Sequence, residues 1–214
     1  MDKELEQRGH CYVRYADDVK IFVGSSRRAG EVKAGITKYI MQKLKLKINE
    51  SKSRTCKGYE LNFLGHSILN HGKIGLSKQS EKRLKDKIRQ VTKRNRGISL
   101  EEMLKELRPK LQGWLNYFCH AKMKSKMEAI DGWLSRRLKC FRLKQCKRVI
   151  GIVRWLRKLG VEKTLSWRTA LSGKGWWRLS NSPAINIGMN NKWFAAKGYY
   201  SLSANYKSLH RKIL

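Results

Sequence analysis

At Ser77 the chain stops offering strand-like segments, and that change constrains the fold more than any other feature. Before Ser77 alternating apolar segments stand beside helical ones; after it the apolar residues recur every three or four residues. The first period belongs to strands and the second to helices, so the pattern predicts an α+β chain whose strands precede a helical bundle. Cys11-Tyr12-Val13-Arg14-Tyr15 and Val19-Lys20-Ile21-Phe22-Val23 read as two strands joined by a turn at Ala16-Asp17-Asp18. Residues 2–8 read as the end of a helix. Ala29, Val32, Ile36, Ile40 and Leu44 mark an amphipathic helix over 28–45. Residues 62–69 read as one strand, with a turn at Asn70-His71-Gly72 before a short strand at 73–76.

In the helical part, Leu84, Ile88 and Val91 share one face, and the opposite face is almost solid Lys and Arg. Ser99 with Glu102 forms a capping box for the next helix. Pro109 is expected to end or kink that helix, because proline lacks the N–H and clashes with the preceding turn. Leu111, Trp114, Leu115 and Phe118 continue an apolar face beyond it. Ser125 with Glu128 reads as the cap of a third helix lined by Ile130, Leu134, Leu138 and Phe141. Gly160 reads as the C-terminal stop of a segment holding Val149, Ile152, Val153 and Leu156.

Charge narrows the function. The 214 residues carry 49 Lys+Arg against 16 Asp+Glu, net +33. Residues 71–160 alone hold 26 basic and 7 acidic residues; residues 1–70 hold 14 and 8, and residues 161–214 hold 9 and 1. These regimes divide the chain at 1–76, 77–160 and 161–214. Such self-repulsion excludes an ordinary metabolic enzyme and points to a polyanionic partner. Seven Trp and eight Tyr exclude a disordered polybasic tail. No run of 18 apolar residues is present and the start has no apolar signal region, so a cytoplasmic, membrane-free protein is expected. The five cysteines are scattered without a Cys-x-x-Cys, and read as reduced thiols rather than bridges or metal ligands. Clusters that include Arg83, Lys87, Arg94, Arg96, Arg136, Arg137, Lys147 and Arg148 form the expected phosphate-tracking faces. Trp176, Trp177 and Tyr199 are candidates for stacking on unpaired bases, with a small core as the alternative use of such aromatics.

Two adjacent carboxylates, Asp17 and Asp18, stand between apolar strands. A hairpin tip of this kind can hold divalent cations, because Mg²⁺ takes carboxylate and phosphate oxygens. A solvated acidic turn fits the pair equally well. The wider context adds a resemblance. Tyr15-Ala16-Asp17-Asp18 is similar to the polymerase motif of reverse transcriptases, and the run Arg8 to Asp18 resembles group II intron-encoded reverse transcriptases/maturases. Leu44 to Ser53 and Phe63-Leu64-Gly65-His66 are similar to the following palm motif and primer-grip strand. Lys93 to Ser99, Leu111 to Phe118, Trp133 to Lys147 and Leu156 to Val161 resemble the thumb, or domain X. Gly173 to Arg178 and Asn181-Ser182-Pro183 resemble the C-terminal part.

The resemblance implies a partial palm (β-hairpin plus helix) over 1–76, a thumb/domain X bundle over 77–160, and a small irregular DNA-binding-like region over 161–214. It implies that Asp17 and Asp18 are catalytic metal ligands in two-metal polymerisation, with Mg²⁺ as the cofactor of the complete enzyme. It places Tyr15, Lys52, Phe63, Leu64 and Gly65 near the nucleotide and primer. The implied partners are group II intron RNA, target DNA, and a chain supplying the palm strand, third Asp and fingers that this sequence lacks. A truncated reverse transcriptase/maturase that binds intron RNA is the expected function, with a polymerase completed in trans or a general basic RNA-binding protein as alternatives. Incubated alone with primer, RNA template and Mg²⁺, the chain is expected to give no extension. Extension that disappears on Asp17→Ala contradicts this.

Overall fold

The computed structural model describes residues 1–211. It is an α+β chain of two compact units, Met1–Leu61 and the residues from Asn62 onward.

In the first unit, α1 (Asp2–Gln7) leads into an antiparallel hairpin of β1 (Cys11–Tyr15) and β2 (Asp18–Phe22). The register pairs Tyr15 with Asp18, so Ala16 and Asp17 form a two-residue turn, and Ala16 takes a φ of 54° to close it. Helix α2 (Ser26–Gln42) starts where the Ser25 side chain accepts a hydrogen bond from the Arg28 N–H. Its turns bring Ile36 into the interior, and Leu5 of α1 is the other fully buried apolar residue of this unit.

The second unit opens on a three-stranded antiparallel sheet, β3 (Asn62–Phe63), β4 (His66–Ile68) and β5 (Ile74–Leu76). The single strand expected over 62–69 is therefore broken. Leu64 and Gly65 adopt φ of 50° and 80° and turn the chain back, with Phe63 paired to His66. Packing demands the glycine as well as the turn. A Cβ at residue 65 would lie 2.6 Å from Ser80 Oγ and 3.0 Å from the Phe118 ring. Ser80 Oγ donates to the Gly65 carbonyl at 2.9 Å, which locks the turn against the helices.

Four helices follow: α3 (Lys78–Val91), α4 (Leu100–Phe118), α5 (Lys124–Gln145) and α6 (Val149–Lys158). Ser77 caps α3, and the Ser99–Glu102 capping box starts α4 as its sequence predicts. Pro109 does not end α4, which runs on through it to Phe118. It lies on the exposed side, where water can take up the carbonyl that its missing N–H leaves free. The buried stripe Met103, Leu107, Leu111, Leu115 and Phe118 runs past it and holds the helix together. The Ser125 cap is also displaced. Helix α5 begins two residues earlier, after Met123, which is buried and fixes the entry point. At Gly160 (φ 82°) the Val161 N–H reaches the Leu156 carbonyl at 3.1 Å, and the glycine ends α6 as expected.

The remaining described chain forms five short helices, α7 (Lys163–Ala170), α8 (Trp176–Leu179), α9 (Pro183–Gly188), α10 (Asn191–Ala196) and α11 (Leu202–Arg211). They share one apolar core with α3–α6, through Leu179, Ile185, Met189, Phe194, Leu202 and Tyr206. Asp131 of α5 anchors this segment. Its carboxylate accepts from the Tyr199 and Ser201 hydroxyls at 2.9 and 2.8 Å and from the Leu202 and Ser203 N–H groups at 2.9 and 2.8 Å. Two otherwise orphaned donors at the start of α11 are thereby satisfied. At the other end of this contact, the Tyr206 hydroxyl donates to the Ala121 carbonyl at 2.8 Å.

His66 sits against Phe118 and His120, at ring-centroid distances of 5.0 and 4.7 Å, with its Nε2 buried and unpartnered. Burial, then the charge of His120, holds its pKa below the usual histidine range. The unfolded chain therefore binds this proton more readily, so the stability involved is present above a pH of about 6.5 and is lost as pH falls below it. Urea unfolding at pH 7.5 and 5.0 should show a larger loss for the wild type than for His66→Gln. Equal losses would refute the assignment.

Candidate nucleic-acid interface

An arginine can serve a folded protein in two ways. It can satisfy carbonyls and cover aromatic faces, or it can stand free as a positive charge. Helix α5 presents Arg136 and Arg137 at consecutive positions, about 100° apart around its axis. Arg137 turns to the end of α3, where Nε donates to Thr92 Oγ1 at 2.6 Å and Nη2 to the Thr92 carbonyl at 3.2 Å. Its guanidinium lies 5.2 Å from the centre of the Trp133 ring, and Arg89 lies 5.4 Å from the same ring. Burial, then repulsion from Arg89, lowers its pKa, yet a guanidinium remains charged. Arg136 turns the other way. It stacks on Trp177 at 4.1 Å and donates twice to the Trp177 carbonyl, at 3.2 and 2.9 Å.

Arg96 is engaged in the same manner, with Glu106 at 2.8 Å and the Val91 carbonyl at 2.8 Å. Lys110 first, then Arg96, holds the Glu106 carboxyl below its ordinary pKa. Three of the eight cations expected to meet RNA thus bind the fold itself. The other five, Arg83, Lys87, Arg94, Lys147 and Arg148, are exposed and make no side-chain hydrogen bond or ion pair with the described residues.

The fold also gathers cations into concave surfaces. Lys93, Arg94, Asn95, Arg137, Lys144 and Trp176 line a cleft of about 520 Å³ beside the end of α3. A second cleft of about 500 Å³ brings together Arg136, Arg168, Lys174 and Arg178. The last three were not singled out from the sequence. They lie six and four residues apart in a segment of modest charge, and only the folding of α7 and α8 collects them. Among the stacking candidates, Trp177 is 43% exposed. Trp176 packs partly against the core. Tyr199 has its ring on Phe194, and its hydroxyl pKa is driven well up, by burial first and then by Asp131.

The residues expected near a polymerase centre lie elsewhere. Tyr15 and Asp17 are exposed at the hairpin tip, and Asp18 pairs with Lys20. Lys52 is exposed in a turn whose N–H is capped by the Asn49 side chain at 3.2 Å. Phe63, Leu64 and Gly65 belong to the second unit, in the β3–β4 turn. Among the described residues no group of three or more His, Cys, Asp or Glu side chains converges as a metal site. Two carboxylates, one already paired with a lysine, do not by themselves fit a resident Mg²⁺, which demands near-octahedral oxygen ligation.

Residues 81–160 match the family of the group II intron, maturase-specific domain. The α3–α6 segment of the helical unit is thus a group II intron maturase-specific domain. The matched segment runs from the first turn of α3 to the Gly160 stop, and all eight cations read from the sequence as RNA contacts fall inside it. No curated protein matches the chain. Among the described residues no helix is long and apolar enough to cross a membrane.

Proposed function

We propose that this chain binds structured group II intron RNA and assists the intron's splicing and mobility, as the RNA-binding half of a reverse transcriptase/maturase. One observation carries the reading. The exposed, unengaged cations Arg83, Lys87, Arg94, Lys147 and Arg148 lie within the matched maturase segment. Phosphate contacts from such groups supply affinity and position, while sequence choice comes from base edges and RNA shape. Target DNA is a second polyanion for the region after residue 160, with Trp176 and Trp177 as its stacking groups. The expected compartment is the cytoplasm.

A second reading attaches to Asp17, whose exposed place at the hairpin tip suits a site completed in trans. A palm strand and fingers that contribute a third carboxylate, with substrate phosphates, would complete the ligands for Mg²⁺. Asp17 and Asp18 would then hold the metal beside Tyr15 and Lys52, and Phe63, Leu64 and Gly65 would lie near the primer.

The test is affinity for a structured group II intron RNA and for an unrelated RNA of equal length, across several salt concentrations. Tighter binding to the intron RNA at every salt is expected, with log K falling by about 0.7–0.9 per decade of salt for each phosphate neutralised. Two curves that coincide throughout would reduce the protein to a general basic RNA binder.

A further inference from the structure

The second cleft sets a buried, unpartnered hydroxyl among its cations, which the first cleft does not. Its wall is assembled from α5, α7, α8 and the turn into α9, and no acidic residue lines it. Arg168, Lys174 and Arg178 are exposed there and make no side-chain hydrogen bond or ion pair with the described residues. Elsewhere in the helical unit, cations with a carboxylate in reach use it: Lys85 on Glu81, Lys110 on Glu106, Lys197 on Glu101. Three like charges facing one concavity repel one another, and low-dielectric walls concentrate their field.

Two neutral groups complete the wall. Asn181 lines the cleft with its side-chain amide unengaged, and Ser182 lines it with a hydroxyl that has no hydrogen-bond partner. Arg136 closes one side. Two of its donors are committed to the Trp177 carbonyl, which leaves the remaining guanidinium N–H groups available. The same arginine holds the exposed Trp177 ring at the edge of the site. A volume of about 500 Å³ falls within the range of small-ligand clefts and admits a phosphate together with its sugar.

We infer that this cleft is a discrete phosphodiester site, in which Arg168, Lys174 and Arg178 neutralise one backbone phosphate of bound RNA and Asn181 and Ser182 hydrogen-bond its oxygens. The RNA part rests on the function proposed above; the anion site itself does not.

Inorganic phosphate is the first probe, titrated into the full chain and followed through the indole N–H resonance of Trp177, assigned with Trp177→Phe. A saturable shift is expected. It should weaken at least tenfold in the double variant Arg168→Ala/Arg178→Ala and stay unchanged in the charge-matched Lys38→Ala/Lys43→Ala. Equal weakening in both, or no saturation, would mean a diffuse field and overturn the site. Should the double variant lose its helical circular dichroism, Lys174→Ala, in an exposed loop, carries the same comparison.

The second probe is the structured RNA, over a salt series. Loss of one phosphate contact should lower the slope of log K against log salt by about 0.7–0.9 in the cleft variant. An unchanged slope, or one that changes only for duplex DNA, overturns occupancy by RNA. If phosphate binding and the slope change both hold while intron and unrelated RNA bind alike, the site stands and the maturase reading falls.

Discussion

Repulsion among cations is the constraint that the helical unit must meet. Residues 71–160 hold 26 basic against 7 acidic residues, and they still fold around one apolar core. Ion pairs cannot neutralise such an excess, and exposed pairs contribute little in any case. The fold instead turns selected arginines inward. Arg137 binds Thr92 and covers Trp133, Arg136 binds and covers Trp177, and Arg96 reaches the Val91 carbonyl. Carbonyl groups and aromatic faces absorb these charges where carboxylates are too few. Asp131 is used differently again: its charge caps α11 and ties the C-terminal helices to α5.

The cations left over after this selection are the ones available to a partner. They stand in two settings, on open helix faces (Arg83, Lys87) and along concave walls (Lys93, Arg94, Lys144; Arg168, Lys174, Arg178). The first setting tracks a backbone loosely, whereas the second can fix a phosphate in place. Both occur in a unit whose matched segment belongs to the maturase domain. The carboxylate pair lies in the other unit, at the tip of a hairpin whose second strand pairs only with the first among the described residues.

What was legible in the sequence was local. The hairpin, the apolar stripes of α3 and α4, the Ser99–Glu102 box and the Gly160 stop each depend on residues a few positions apart. What was not legible depended on distant neighbours. The break at Leu64-Gly65 is enforced by Ser80 and Phe118. Helix α4 passes Pro109 because its buried stripe continues on both sides, and α5 starts early because Met123 is buried. Above all, a run such as Lys93-Arg94-Asn95-Arg96 does not say which arginine faces solvent. Arg94 and Arg96 look alike in sequence; only the positions of Glu106 and the end of α3 separate them.

That pair gives the most direct measurement. Arg94→Ala and Arg96→Ala can be compared by urea unfolding and by titration with structured intron RNA over a salt series. Arg96→Ala should lose about 1 kcal/mol or more of stability, through its carbonyl and carboxylate contacts, and keep the salt slope. Arg94→Ala should unfold as the wild type does and lose about 0.7–0.9 from the slope. The same outcome for both variants, or the reverse assignment, would contradict the division of the basic residues into those that hold the fold and those that hold the RNA.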